Sequence, residues 1–259
     1  MATVIYPSPI FGPIHSRRLG VSLGINLLPA DGKVCSFDCI YCECGLNAWH
    51  RPHLKMPTRE EVHNALEERL QQMKAQGPKP DVLTFAGNGE PTLHPSFPEI
   101  IEDTIKLRNS YFPEARISVL SNATQILRPT VHQALMRVDN NILKLDTVDA
   151  QFIRAVDRPN AAYDVHAIIE GLKAFDGHVI IQTMFLSGTD SDGHDVTNTA
   201  DHFVRPWLDA LQEIRPERVM IYTIDRETPI RTLFKASPEV LDAIAERVRQ
   251  LGFDCSVAY

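Results

Sequence analysis

Cys35-Ser36-Phe37-Asp38-Cys39-Ile40-Tyr41-Cys42 places three of the chain's five cysteines within eight residues, and Cys44 follows at once. A structural cysteine behaves as a small hydrophobe and needs no neighbours of its own kind, so clustering points to a metal or to disulfides. Residues 1–7, Met1-Ala2-Thr3-Val4-Ile5-Tyr6-Pro7, lack the basic and apolar regions of a secretory signal. That argues for a reducing, cytoplasmic setting and against disulfides, which leaves metal binding.

Spacing and ligand count bear on which metal. A structural zinc site takes four ligands, usually as two separated pairs. This chain has one knot, with Cys255 alone near the C-terminus, and only Cys44, His50 and His53 are at hand to complete a tetrahedral site. Such a site would describe a zinc-stabilised, non-enzymatic interaction module. Intervals of three and then two residues suit instead a loop around a 4Fe–4S cube, with three thiolates on three irons. The fourth iron is then open and calls for a ligand from outside the protein.

Cys-x3-Cys-x2-Cys with an aromatic residue, Tyr41, before the last cysteine resembles the signature of the radical SAM enzymes. The resemblance implies that Cys35, Cys39 and Cys42 are the iron ligands and Cys44 is not. It implies S-adenosylmethionine as cosubstrate, chelated to the open iron through its amino and carboxylate groups. Reductive cleavage would then yield methionine and a 5′-deoxyadenosyl radical that abstracts hydrogen from a substrate.

The rest of the chain can be tested against this expectation. Its 259 residues are 44% hydrophobic and 23% charged, enough for a single domain over 1–259 with a substantial core. No apolar run approaches the roughly 18 residues that cross a bilayer. The formal net charge is −7, without a long Lys/Arg block, which disfavours a nucleic-acid substrate.

Residues 7–13, rich in Pro and Gly, read as an extended lead-in to a strand in the second half of 15–28. Thr58-x-x-Glu61 is a capping box that opens a helix over 58–76. Strands at 82–86, 117–120, 142–146, 178–186 and 218–225 alternate with helices at 96–108, 130–138 and 163–175, one after the loop 189–195, and a last one capped by Ser237 and stopped at Gly252. Six β–α units in series predict a parallel sheet covered by helices, a partial (β/α)6 TIM-like barrel with its reactive groups at the C-terminal strand ends. That is also the fold the resemblance implies.

Gly87-Asn88-Gly89-Glu90-Pro91 follows the second strand. Alone it is an ordinary strand-to-helix turn as readily as a ligand site, although glycines permit close backbone approach. It is similar to the glycine-rich radical SAM motif, with Asn88 for the second glycine, and the resemblance implies that Gly87, Asn88, Gly89 and Glu90 hold the methionyl amino group. Asn122 and Asp146 end the third and fourth strands; each is also a natural turn or cap residue. The resemblance implies that they contact the ribose or carboxylate of the cosubstrate. Lys144 on a buried strand is costly unless paired or facing the cavity, which makes it the candidate catalytic residue. Gln182 inside the fifth strand needs polar partners that a ligand would supply, and Thr183, Tyr222 and Thr223 interrupt apolar runs. His15, His94, His178 and His194 have no selecting motif.

Ser16-Arg17-Arg18-Leu19-Gly20, Thr124-Gln125, Arg158-Pro159, Ile181-Gln182-Thr183-Met184 and Thr223-Ile224-Asp225-Arg226 extend the resemblance to the subgroup related to the wyosine-forming tRNA enzymes. Those enzymes hold a second cluster through cysteines upstream of the triad, and this chain has none before Cys35. The implied reaction is therefore on a small molecule or a peptide, with tRNA as the alternative and reduced flavodoxin or ferredoxin as electron donor. The loops 47–56 and 189–195 are the expected substrate lining.

Overall fold

The computed structural model describes residues 3–16 and 20–259; Arg17, Arg18 and Leu19 of the Ser16–Gly20 motif lie outside the described residues. In chain order the elements are β1 (Ile10–Ser16), β2 (Gly20–Ile25), α1 (Arg59–Gln76), β3 (Val82–Phe85), α2 (Phe97–Tyr111), β4 (Arg116–Ser121) and α3 (Pro129–Leu135). There follow β5 (Asn140–Lys144), α4 (Ala150–Phe152), a π-helical turn at Ile153–Asp157, α5 (Val165–Lys173), β6 (Ile180–Met184) and β7 (Leu186–Gly188). The last are α6 (Asp201–Ile214), β8 (Arg218–Tyr222), β9 (Leu233–Lys235), α7 (Pro238–Gln250) and β10 (Asp254–Ala258).

The main sheet runs β1-β2-β3-β4-β5-β6-β8-β10. From β2 onward every neighbour is parallel, and its order follows the chain because a helix returns the backbone after each strand. β1 and β10 are opposite edges, so the sheet stays open as an incomplete barrel. The predicted six β–α units are present, and α7 leads into a further parallel strand, β10, that the sequence reading left out. Residues 7–13 are not only a lead-in: Ile10–Ser16 pairs antiparallel with β2, with a register shift between Phe11 and Ile14. Pro13 is tolerated there because an edge strand has an N–H row without a partner. The predicted strand over 178–186 divides, and its second part, β7, pairs with β9 in a separate ribbon.

Strand periodicity gives the sheet two different faces. Leu23, Ile25, Leu83, Phe85, Ile117, Val119, Leu143, Ile181, Val219 and Ile221 join the main core with Leu66, Ile101, Leu172, Trp207 and Ile244 from the helices. The alternate positions face away from that core and are mixed, with a small apolar cluster of Ile142, Ile180 and Met220 beside polar residues. There Ser22 and Thr84 share a hydrogen bond of 2.8 Å, and the Asn140 amide donates to Ser118 Oγ at 2.8 Å. Lys144 and Gln182 are register partners in this row. Helix starts follow the expected chemistry: Thr58 Oγ1 accepts from the Glu61 N–H at 3.2 Å, and the Glu61 carboxylate accepts from the Thr58 N–H at 2.6 Å. Among the described residues no helix is long and apolar enough to cross a membrane.

Candidate active site

The cysteines lie on the loop from β2 to α1, at the C-terminal edge of the sheet. The turn after β3 and the π-helical turn that follows β5 clamp this loop. The Val34 N–H donates to Asn88 C=O at 2.9 Å and the Glu90 N–H to Val34 C=O at 3.0 Å. The Asp38 N–H donates to Asp157 C=O at 3.0 Å, the Ile40 N–H to Val156 C=O at 2.9 Å, and Asn160 Nδ2 to Cys35 C=O at 2.8 Å. The π-helical turn at 153–157 ends in a left-handed Arg158, φ 50°, and supplies those carbonyls. Gly89, with φ 126°, permits the close approach, since a Cβ there would meet Val34 O at 2.0 Å.

Each thiol meets a polar group. Asn122 Nδ2 donates to Cys35 Sγ at 3.5 Å, Cys39 Sγ approaches Asp157 Oδ1 at 3.8 Å, and Cys44 Sγ donates to Gly87 C=O at 3.5 Å. Burial pushes the Cys35 thiol up to about 12 and raises Cys39 as well. Cys42 is brought down to about 6, first by the hydrogen bond from Cys44 and, against burial, by the Lys33 ammonium. Among the described residues no three of these sulfurs lie within 4.8 Å of one another. A single tetrahedral ion would draw them together, whereas a cube of iron and sulfide takes one thiolate at each corner. The donor set therefore fits a three-thiolate cluster, and of the residues proposed to complete a zinc site His50 is engaged elsewhere, its Nε2 paired with Thr3 Oγ1 at 2.6 Å.

Lys33, which the sequence reading passed over, lies beneath this loop with a side chain 1% exposed. Its ammonium donates to Gly45 C=O at 2.7 Å and lies 3.6 Å from Asp38 Oδ1. Burial alone would pull its pKa down, but the neighbouring Cys42, Cys35 and Cys39 side chains and Asp38 outweigh that, and the ammonium is held above its ordinary range.

The glycine-rich turn and the end of β4 form one hydrogen-bonded unit. Glu90, 2% exposed, accepts from the Thr92 N–H at 3.0 Å, Thr92 Oγ1 at 2.5 Å and Ser121 Oγ at 2.8 Å through Oε1. Its Oε2 accepts from the Asn122 N–H at 2.6 Å. Burial raises this carboxyl despite the donors around it. Asn88 bonds to the backbone of Tyr6 and Pro29, so its side chain supports the turn from behind. Asn122 Oδ1 in turn accepts from the Thr124 N–H at 3.1 Å and Thr124 Oγ1 at 2.8 Å, while its amide donates to Ser36 Oγ at 2.9 Å.

Lys144 is paired within the protein. Its ammonium donates to Asp157 Oδ1 at 2.7 Å and to Asp146 and the Tyr41 hydroxyl. Tyr41 also donates to Asp146, whose other oxygen accepts from the Met184 N–H at 2.9 Å. Burial would lower the lysine, yet Asp146 and Asp157 hold it well above its usual range. Burial pushes Asp157 up to about 6, against the pull of Lys144. Sequence reasoning singled out Lys144 and Asp146 but missed Asp157, which no local motif marks.

Beside Cys42 opens a cavity of about 360 Å³, within the size range of small-molecule sites. Tyr41, Gln182, Met184, Tyr222, Ile224 and Arg226 are among its lining residues. Arg226 closes one side through 2.8 Å to Glu43 and 2.7 Å to the Tyr6 hydroxyl. Gln182, Tyr222 and Thr223 thus meet the cavity, the Thr223 hydroxyl donating to Phe185 C=O at 2.8 Å, whereas Thr183 is buried away from it and donates to Leu145 C=O at 2.8 Å. Of the expected lining loops, neither 47–56 nor 189–195 contributes to this wall. The histidines do not line it either: His94 bonds Pro57 C=O at 2.8 Å and His178 bonds Val138 C=O at 2.9 Å.

The model of the Radical SAM superfamily matches residues 31–201. The chain is 30% identical over 236 residues to a UPF0026 protein of Helicobacter pylori, covering 90% of this chain and 71% of that one. It superposes on a radical SAM methyltransferase from Sphaerobacter thermophilus with a TM-score of 0.65 at 15% identity, covering 91% of this chain and 65% of that one. Streptococcus suis SuiB, in a structure bound to S-adenosylmethionine, gives a TM-score of 0.63 at 14% identity, over 90% and 50% of the two chains. The chain therefore spans less than two thirds of either solved structure.

Proposed function

The chain belongs to the radical SAM superfamily, enzymes that use a 4Fe–4S cluster and S-adenosylmethionine, and from that premise we propose that it acts on a small molecule or a peptide held in the cavity beside Cys42. The observation that carries this reading is the placement of Cys35, Cys39 and Cys42 on one loop next to a 360 Å³ cavity at the C-terminal strand ends. When bound, the cluster and cosubstrate supply reductive cleavage to a 5′-deoxyadenosyl radical, which takes hydrogen from the substrate.

The chain's own residues hold and orient. Cys35, Cys39 and Cys42 are the iron ligands, and Asn122 fixes Cys35 through its amide. Gly87, Asn88, Gly89 and Glu90 form the cradle for the methionyl amino group; Glu90 sets the cradle by tying it to Asn122. Gln182 presents its amide to the cavity for the cosubstrate's polar groups. Asp146 acts there through the Met184 N–H and Tyr41 that it positions, and Lys144 is the candidate catalytic group. Leu120, Met184 and Ile224 exclude water from the same space.

SuiB has been described bound to a precursor peptide, so peptides belong in a substrate screen. A tRNA substrate of the wyosine type is disfavoured by the net charge of −7. The reductant expected in the cytoplasm is flavodoxin or ferredoxin. The deciding experiment is anaerobic reconstitution followed by S-adenosylmethionine and dithionite. About four irons per chain with 5′-deoxyadenosine formed is the expected result; stoichiometric zinc and no deoxyadenosine would overturn the proposal.

A further inference from the structure

We propose that Lys33 is a positioning residue for the iron–sulfur cluster, a built-in cation that raises the cluster's reduction potential and so eases the electron transfer that starts the reaction. The inference rests on the reading of the cysteine loop as the cluster's holder. It concerns a residue outside the signature motifs.

The geometry buries a positive charge under the loop. The Lys33 side chain is 1% exposed, so water screens it little. Its one ion-pair partner among the described residues, Asp38, lies at 3.6 Å, beyond hydrogen-bonding distance, and is 24% exposed. Asp38 Oδ1 is moreover occupied by the Asn47 N–H at 2.6 Å. The ammonium is anchored by Gly45 C=O at 2.7 Å, and the Gly45 N–H returns to Cys42 C=O at 2.9 Å. That turn holds the buried ammonium beside the Cys42 backbone, one hydrogen-bonded turn from a proposed cluster ligand. Adding an electron to a centre already carrying three thiolates increases its negative charge. A fixed, desolvated cation stabilises the reduced form more than the oxidised one, and net charge and hydrogen bonds to sulfur are two of the quantities that set such potentials.

The alternative is that Lys33 only ties the loop together through Gly45. The two roles separate in the potential. Reconstituted wild-type, Lys33→Arg, Lys33→Gln and Lys33→Met proteins would be titrated anaerobically with mediators, following the cluster by absorbance and electron paramagnetic resonance. Lys33→Gln keeps a donor for Gly45 but no charge; at a fixed poise its reduced-to-oxidised ratio should fall at least tenfold, equivalent to 59 mV for one electron. Lys33→Arg should stay within about threefold of wild type. A Lys33→Gln protein with full iron and the wild-type potential would overturn the inference. If the neutral variants fail to retain iron while Lys33→Arg loads fully, the requirement for charge stands; loss of iron in the Arg variant as well would make the role structural and sink it. Iron per chain in the wild type reads the underlying assignment separately, so a protein without iron fails that assignment before Lys33 is tested.

Discussion

Two lysines, Lys33 buried and Lys144 largely so, sit against the same cysteine loop in opposite electrostatic settings. Lys144 meets two carboxylates, Asp146 and Asp157, with side chains 1% and 3% exposed, and a phenol. Lys33 meets a carbonyl and one more exposed carboxylate at 3.6 Å. The Lys144 group is compensated from within and ties the ends of β5, the π-helical turn and the cysteine loop together. The Lys33 pocket leaves positive charge directed at the thiols. Burial alone therefore does not define a lysine's role here; the number and distance of its carboxylates do.

The largest effect should come from the loop that both lysines serve. Replacing Cys35, Cys39 or Cys42 singly with Ala should abolish deoxyadenosine formation and strip iron from the protein, measured by assay and by iron content. Next, Lys144→Met leaves Asp146 and Asp157 without their cation, and removing one partner of a buried pair costs about 3–5 kcal/mol. Anaerobic urea titration should show that loss, and a Lys144→Met/Asp157→Asn double variant should recover part of it; no recovery would break the compensated-pocket account.

A pH series sharpens the same contrast. Asp157 in the fold lies near 6, above its ordinary 3.8, so the folded state holds the proton more tightly than the unfolded chain. Its contribution to stability is present at low pH and declines as pH rises from about 4 through about 6. Asp157→Asn should remove that decline, seen in urea midpoints between pH 4 and 7 of variant against wild type. Smallest of all, Cys44→Ala removes only a thiol that donates to Gly87 C=O. Iron content and turnover should stay within about twofold of wild type, and loss of the cluster would reassign Cys44 as a ligand.

The parts legible in sequence are those encoded over a few consecutive residues. The spacing of Cys35, Cys39 and Cys42, the capping box at Thr58, and the apolar strands each followed by a helix are local patterns with local causes. The β1 strand was missed because its Pro and Gly content reads as loop, and only pairing with β2 makes it a strand. β7 was fused to β6 because an apolar run carries no mark of where backbone pairing changes partner.

At the site the same division holds. The sequence by itself carried the spacing of the three cysteines proposed as ligands, the glycine-rich turn after β3 and the polar residues at the strand ends, since each is a matter of residue type and spacing. Tertiary structure decided the charges around them. Asp157 lies 13 residues from Lys144 on a π-helical turn and reaches it only because that turn folds back on the sheet. Lys33 looks like a solvated loop residue beside Asp31-Gly32 until the chain covers it. Burial and the distance between opposite charges are properties of the assembled interior, and no short stretch of sequence carries them.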